Sequence, residues 1–430
     1  MSNRKKLTQG DTHSLPGPED IKHTVLSNGI TVLSRANFNS PSVTISGYIH
    51  TGSLFDQDKK LGLADFTASA LMRGTSEHTF DSLYNDLESV GASLGFDSGL
   101  HTTSFHGRAL SEDLSLLLHL LSETMRQPVF PKVEVEKLRH QLLTGLAVQR
   151  QDTSDMADLT FDEILYRGHP YSRPEDGNPD SIKAITRADL VKFHQHTFGP
   201  RSMVIAIVGA VEPRLAVDLV EHKLGDWKNP DQPVEPTLPK LKLLEKTIKR
   251  HYKIADKSQA DLVIGTNGPF RKDDDYMAAA LGNSILGQFG MMGRIGESVR
   301  EKSGLAYYAY SNLTAGVGPG SWTISAGVNP TNVAKACDLI IRELKRLIKG
   351  GVTNEELANS QSNFIGRLPL SLESNGGVAS ALLNIERYDL GLNYYRRYAY
   401  LVKDVTTSDV LKVIRKYFDP NRLVISTAGP

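Results

Sequence analysis

Cysteine is almost missing from this chain: Cys337 is the single one among 430 residues. No intramolecular disulfide can form, which fits a reducing compartment. Long apolar runs are missing too. No stretch of about 18 apolar residues occurs, so no membrane-spanning helix is expected. Net charge is the third absence: Lys and Arg total 49, and so do Asp and Glu. A large basic footprint for nucleic acid is therefore not expected, although net charge alone leaves a local basic patch open. The first residues, MSNRKKLTQGDTHSLPGPED, are polar, and no apolar core follows their basic pair, so they do not form a secretory signal. Asp11, Glu19 and Asp20 argue against a transit peptide. The expected location is cytoplasmic, with neither nucleic acid nor membrane as partner.

What is present is a soluble globular composition, 40% hydrophobic and 23% charged, in a chain long enough for two or three domains. The chain also repeats itself. Residues 186–209 read TRADLVKFHQHTFGPRSMVIAIVG and residues 406–429 read TTSDVLKVIRKYFDPNRLVISTAG. At a constant offset of 220 they share Thr186/Thr406, Asp189/Asp409, Lys192/Lys412, Phe198/Phe418, Pro200/Pro420, Val204/Val424, Ile205/Ile425 and Gly209/Gly429. Each copy reads as a capped helix, an aromatic-proline turn and a buried strand, and the pair reads as a tandem duplication. Residues 229–239, NPDQPVEPTLP, hold four prolines and no periodicity. They are expected to form an extended, packing-poor linker. The predicted domains are therefore 21–228 and 240–430, with the first twenty residues loosely ordered.

Hydrophobic periodicity predicts strands over Lys22–Leu33, Ser42–Thr51 and His101–Leu110, with helices over Gly62–Arg73, Phe80–Val90, 111–126 and 131–150. The second half opens with strands near 247–254 and 259–267 and a helix over 273–286. Strands over Leu305–Asn312 and Ser321–Val328 and a long helix over 331–349 follow. The expected fold is α+β: two homologous domains, each a mostly antiparallel mixed sheet with helices packed on one face.

The segment Gly62–Thr75, GLADFTASALMRGT, is notable for what it nearly is. A helical H-x-x-E-H zinc motif in this register would place His, Glu and His at 65, 68 and 69. Asp65, Ala68 and Ser69 stand there instead. Asp65 could ligate weakly, Ala68 cannot act as a base, and Ser69 is a poor zinc ligand. By residue type alone the segment is an ordinary core helix.

The segment nevertheless resembles the metal helix of the insulinase/pitrilysin-type metallopeptidases, the inverted zincins, commonly GLAHFLEHMLFKGT. Gly62, Leu63, Ala64, Phe66, Leu71, Gly74 and Thr75 match. The resemblance continues through HPYSRPEDGNPDSI (169–182), RADLVKFHQHTF (187–198) and GESVREKSGLAYYAYS (296–311), and so spans the chain. It is strongest to the two-domain members that are similar to mitochondrial processing peptidase subunits. It implies two domains related by pseudo-two-fold symmetry. The family's third ligand, a Glu, would fall near Gly145–Leu146, yet no Glu occurs between Glu136 and Glu163. All the ligands and the base are therefore missing, and no metal is expected at this helix.

The resemblance also implies an Arg and a Tyr from the second domain. The matching residues are Arg300 and Tyr307 in VREKSGLAY. A helix over 294–302, a stop at Gly304 and a strand from Leu305 would bring guanidinium and phenol to one carbonyl, both as donors. By residue type alone, a surface ion pair for Arg300 and a core ring for Tyr307 are the favoured account; the family register reverses that preference. The implied function is that of a non-zinc, substrate-binding subunit. It would form a heterodimer with a homologous H-x-x-E-H subunit that carries the zinc, bind an extended peptide and donate Arg300 and Tyr307 to the scissile carbonyl. The alternative is an inert structural or peptide-binding scaffold of the same fold. Val43–Thr51 is the nominated edge strand for peptide addition.

Other candidates are weaker. His194 and His196 face apart on a helix and read as surface or capping residues. His101 and His106 point to opposite faces of a strand. Gly287–Gly293, GQFGMMG, lacks a dinucleotide-binding register and reads as a substrate-facing loop; 316–321 reads as a turn.

Overall fold

A computed structural model describes residues 15–288, 290 and 293–430. Most of the N-terminal segment expected to be loosely ordered lies outside the described residues, as does part of the Gly287–Gly293 loop. The first sheet is built from β1 (Lys22–Val25), β2 (Thr31–Ala36), β3 (Ser42–Ile49), β4 (Ser93–Ser98), β5 (Thr103–Leu110) and β6 (Val204–Gly209). Their order is β1-β2-β6-β3-β5-β4. The second sheet comprises β7 (Ile248–Lys253), β8 (Ala260–Gly268), β9 (Ala306–Thr314), β10 (Gly320–Val328) and β11 (Val424–Gly429), in the order β7-β11-β8-β10-β9. In each sheet one pair is parallel, β2 with β6 and β7 with β11, and the other pairs are antiparallel. The α+β architecture follows from strands that alternate or run apolar between amphipathic helices.

The sequence repeat has a physical basis at both ends. Helices Arg187–Thr197 and Thr407–Tyr417 each begin with a capping box. Asp189 N–H donates to Thr186 Oγ1 at 3.2 Å, and Asp409 N–H donates to Thr406 Oγ1 at 3.2 Å. The aspartates reciprocate by accepting from the threonine N–H groups at 2.7 and 2.9 Å. Phe198 and Phe418 close the helices, each 2% exposed. Gly209 and Gly429 end β6 and β11 at φ of 149° and 156°. A Cβ on Gly209 would lie 2.3 Å from Ser42 O. Both positions therefore demand glycine on conformational grounds, and Gly209 also for close approach.

The compact units are discontinuous in sequence. One comprises residues up to His140, Glu175–Pro236 and Gly366–Ala399; the other comprises Gln141–Pro174, Thr237–Ile365 and Tyr400–Pro430. Helix Thr153–Leu165 belongs to the second unit. It places Ala157, Phe161, Ile164 and Leu165 in a core with Val263, Val424 and Ala428, and Ser426 Oγ donates to Ala157 O at 2.7 Å. Helix Asn375–Arg387 belongs to the first unit and packs on β3 and β6. There Asn375 Nδ2 donates to Ser42 O at 3.1 Å and Asn37 Nδ2 donates to Asn375 Oδ1 at 2.7 Å.

Three sequence expectations need correction. Lys22–Leu33 is not one strand, because a turn at Asn28-Gly29, with Gly29 at φ 94°, folds it into the hairpin β1–β2. β3 is not an edge strand: it is hydrogen-bonded on one side to β5 and on the other to β6. The free edges of the first sheet are β1 and β4. Nor is the stretch after residue 228 packing-poor. Asn229 Nδ2 donates to Phe198 O at 2.7 Å, and Gln232, 4% exposed, accepts from Arg201 N–H at 3.0 Å and donates to Arg201 O at 3.2 Å. Polar side chains, which leave no hydrophobic period, hold this segment down.

Candidate functional site

Helix Leu63–Ala70 begins at Gly62, whose φ of 85° admits no ordinary side chain. The buried Asp56 carboxylate caps it instead, accepting from Gly62 N–H at 2.8 Å and Ala64 N–H at 2.9 Å. The apolar residues Leu63, Ala64, Phe66, Ala68 and Ala70 are buried, whereas Asp65 and Ser69, one turn apart, are half-buried on a shared face. Burial raises the Asp65 carboxyl to about 7, and the neighbouring charges of Asp176, Glu175 and Asp97 add to that rise. Glu175 is raised as well, first by burial and then by Asp176.

Zinc does not fit this helix. The donor set at 65, 68 and 69 is one carboxyl, one methyl and one hydroxyl, with no imidazole and no base. At the position of the third ligand, Gly145 has no side chain and Leu146 is a buried apolar residue.

In the second unit, the chain around Arg300 winds as a π-helix, Gly296–Glu301, rather than the regular helix expected. The wide turn closes through Lys302 N–H to Glu297 O at 2.9 Å. Gly304, at φ 60°, stops it, with its N–H on Arg300 O at 2.9 Å. β9 begins two residues later. Single π turns inside helices recur at functional sites.

The Arg300 side chain is 38% exposed, and its Nε lies 3.8 Å from Glu301 Oε1. An exposed pair at that separation contributes little and leaves the guanidinium able to turn elsewhere. Tyr307 is 63% exposed and is not a core ring. It is the extra residue of a β-bulge: Val328 pairs with Ala306 and Gly327 with Tyr308, leaving Tyr307 without a partner on β10. Bulges re-aim a side chain out of the strand's alternation. β9 is also a free edge of the second sheet.

Two polar clusters had no signal in the sequence. Glu235 sits between two imidazoles, with His50 Nδ1 at 3.1 Å and His101 Nδ1 on its other oxygen. Burial alone would raise the Glu235 carboxyl, but the bonds from His101 and His50 hold it down to about 2. His101 therefore lies ahead of β5 as a linker anchor. In the second unit the buried Asp261 carboxylate accepts from the Tyr308 phenol, from Thr153 Oγ1 and from Gln259 Nε2 at 3.0 Å. His194 is not a surface residue. It is 8% exposed, bonds Met125 O through Nε2 at 2.8 Å and packs edge-on against Phe130. Burial lowers its pKa.

Comparison with known proteins agrees with this anatomy. The family model described as Insulinase (Peptidase family M16) matches residues 31–176, and the one described as Peptidase M16 inactive domain matches 184–364. The chain belongs to the M16 peptidase family. It is 24% identical over 367 residues to an uncharacterized zinc protease of Streptomyces coelicolor, covering 84% of this chain and 79% of the relative. It is 24% identical over 397 residues to the mitochondrial-processing peptidase subunit beta of Saccharomyces cerevisiae, covering 87% of this chain and 83% of the relative. The crystal structure of a peptidase M16 inactive domain from Pseudomonas fluorescens superposes with a TM-score of 0.87 at 26% identity, covering 96% of this chain and 98% of that one. Together with the missing H-x-x-E-H set, these matches support a non-catalytic M16-type chain in general. No helix among the described residues is long and apolar enough to cross a membrane.

Proposed function

We propose that the chain is the non-zinc, substrate-binding subunit of a heterodimeric M16 metalloendopeptidase, and that it donates Arg300 and Tyr307 to the carbonyl of a bound peptide. The observation that carries this reading is the bulge: it turns Tyr307 out of the strand at a free sheet edge, directly after the π-helix that holds Arg300 half-exposed. A scaffold has no need of an exposed phenol and guanidinium on consecutive elements. Both are donors, and both can stabilise negative charge that develops on a carbonyl oxygen. The zinc centre would belong to a homologous partner, since this chain's own helix lacks the donors. An extended peptide would add to a free sheet edge, a role that β3, paired on both sides, does not offer.

The test is co-purification with an H-x-x-E-H homologue from the native cell, followed by peptide cleavage with the paired proteins. Arg300→Ala is expected to lower kcat by roughly 10²–10³, with KM little changed, because the lost bond matters chiefly in the transition state. Tyr307→Phe should lower it in the same direction. A wild-type rate in both variants would instead favour the inert scaffold, in which the Arg300–Glu301 pair is all that Arg300 does.

A further inference from the structure

Helix Leu114–Arg126 carries His119 and Glu123 at i and i+4, so both project from one face. Glu77, from the turn that precedes helix Phe80–Ser89, meets them there. His119 Nε2 lies 3.8 Å from Glu123 Oε2 and 4.0 Å from Glu77 Oε2, and one donor atom from each residue falls within 4.8 Å of the others. Glu123 is held as an inner ligand would be. Its side chain is 2% exposed, the Thr75 hydroxyl donates to Oε1, and His78 Nδ1 lies 2.9 Å from both carboxylate oxygens. His78 Nε2 is fixed in turn, 3.1 Å from Asp86. Such outer partners orient a ligating carboxylate and leave its remaining lone pair aimed at the site.

We propose that Glu77, His119 and Glu123 form a site for a divalent first-row transition-metal ion that ties the Gly74–Thr79 turn to helix Leu114–Arg126. One imidazole and two carboxylates are a donor set that Zn²⁺, Co²⁺ and Ni²⁺ accept. Metal–ligand bonds of ~2.0–2.2 Å place tetrahedral donors roughly 3.3–3.5 Å apart. The two His119 separations must close by about half an ångström, and the gap between the Glu77 and Glu123 oxygens, at most 4.8 Å, by up to roughly 1.3 Å, which the exposed ends of the site permit. His119 is 40% exposed and Glu77 57% exposed, and each can turn about its own side-chain bonds while Glu123 stays fixed. The site is separate from helix Leu63–Ala70, on which the expectation of a metal-free chain rested, and it does not depend on the proposed role of Arg300 and Tyr307. The competing explanation of the same distances is an imidazole lying near two carboxylates with no metal between them.

Titration of the full-length chain with Zn²⁺ by calorimetry, and with Co²⁺ by visible absorption, separates the two. One equivalent of metal should bind, with tetrahedral Co²⁺ bands. His119→Ala should abolish binding, and His78→Ala should weaken it about 10-fold through Glu123. Far-UV circular dichroism checks that both variants fold. Asp65→Ala should leave binding unchanged. No binding to the wild-type chain, binding that survives His119→Ala unaltered, or binding lost in Asp65→Ala would each overturn the assignment.

Discussion

Asp65 stands where the family's metal helix has its first histidine, and its electrostatics run opposite to those of an ordinary aspartate. Burial and three neighbouring acids raise its folded pKa to about 7, above the value near 4 of an unfolded chain. Between those values the folded state holds a proton that the unfolded state has lost. Stability from this residue is therefore lost as pH rises from about 4 to about 7. At ~1.4 kcal/mol per pH unit the full effect would reach ~4 kcal/mol, and partial exposure of the side chain reduces the expectation to ~2 kcal/mol. Asp65→Asn should accordingly stabilise the protein by about that amount at pH 8 and change little at pH 4. Urea unfolding at both pH values measures it, and parallel pH dependence in wild type and variant would count against the buried acid cluster. The loss of the base at Ala68 and of a ligand at Ser69 was legible in the sequence, because residue type alone settles it. The carboxylates gathered around Asp65 were not, because Asp97, Glu175 and Asp176 arrive from distant parts of the chain.

Among elements, the most legible were those whose signal is local. The two helix–turn–strand repeats were visible in sequence because their shared residues do the same work twice: a Thr/Asp capping box, a buried Phe and a terminal glycine. Thr186→Ala and Thr406→Ala should each cost about 1 kcal/mol, the usual worth of an N-cap side chain, and nearly additively, since the two lie on separate sheets' helices. Chemical denaturation of the single and double variants checks this. A negligible loss at either site would mean that the box does not anchor its helix. Strand order was much less legible. β3 alternates in burial along Ser42–Ile49 as a half-exposed edge strand would, yet it pairs on both sides because β6 returns from far along the chain to lie beside it. Local periodicity records which faces are apolar, not which neighbour completes the ladder. The π-helix and the bulge at Tyr307 escaped for the same reason: each is a one-residue departure that shifts geometry without altering residue pattern.

For the whole molecule, the consequential fact is that the repeat in sequence and the units in space divide the chain differently. Residues 141–174 complete the second unit and residues 366–399 complete the first. A duplicated chain cut at its proline-rich segment would thus give two halves, each lacking a helix its own sheet packs against. Without Asn375–Arg387, β3 and β6 lose the helix that packs on them, and Asn37 and Ser42 lose their bonds to Asn375. Without Thr153–Leu165, Val263, Val424 and Ala428 lose Phe161 and Ile164 from their core. Uncovered apolar surface on that scale is incompatible with a well-packed native state. Residues 15–236 expressed alone are expected to be insoluble or to bind the dye ANS with no cooperative thermal transition. Co-expression with 237–430 as a separate chain should restore a soluble, cooperatively melting complex, because each fragment then supplies the other's missing helix. A soluble 15–236 fragment that melts cooperatively by itself would show that the exchanged helices are peripheral to stability.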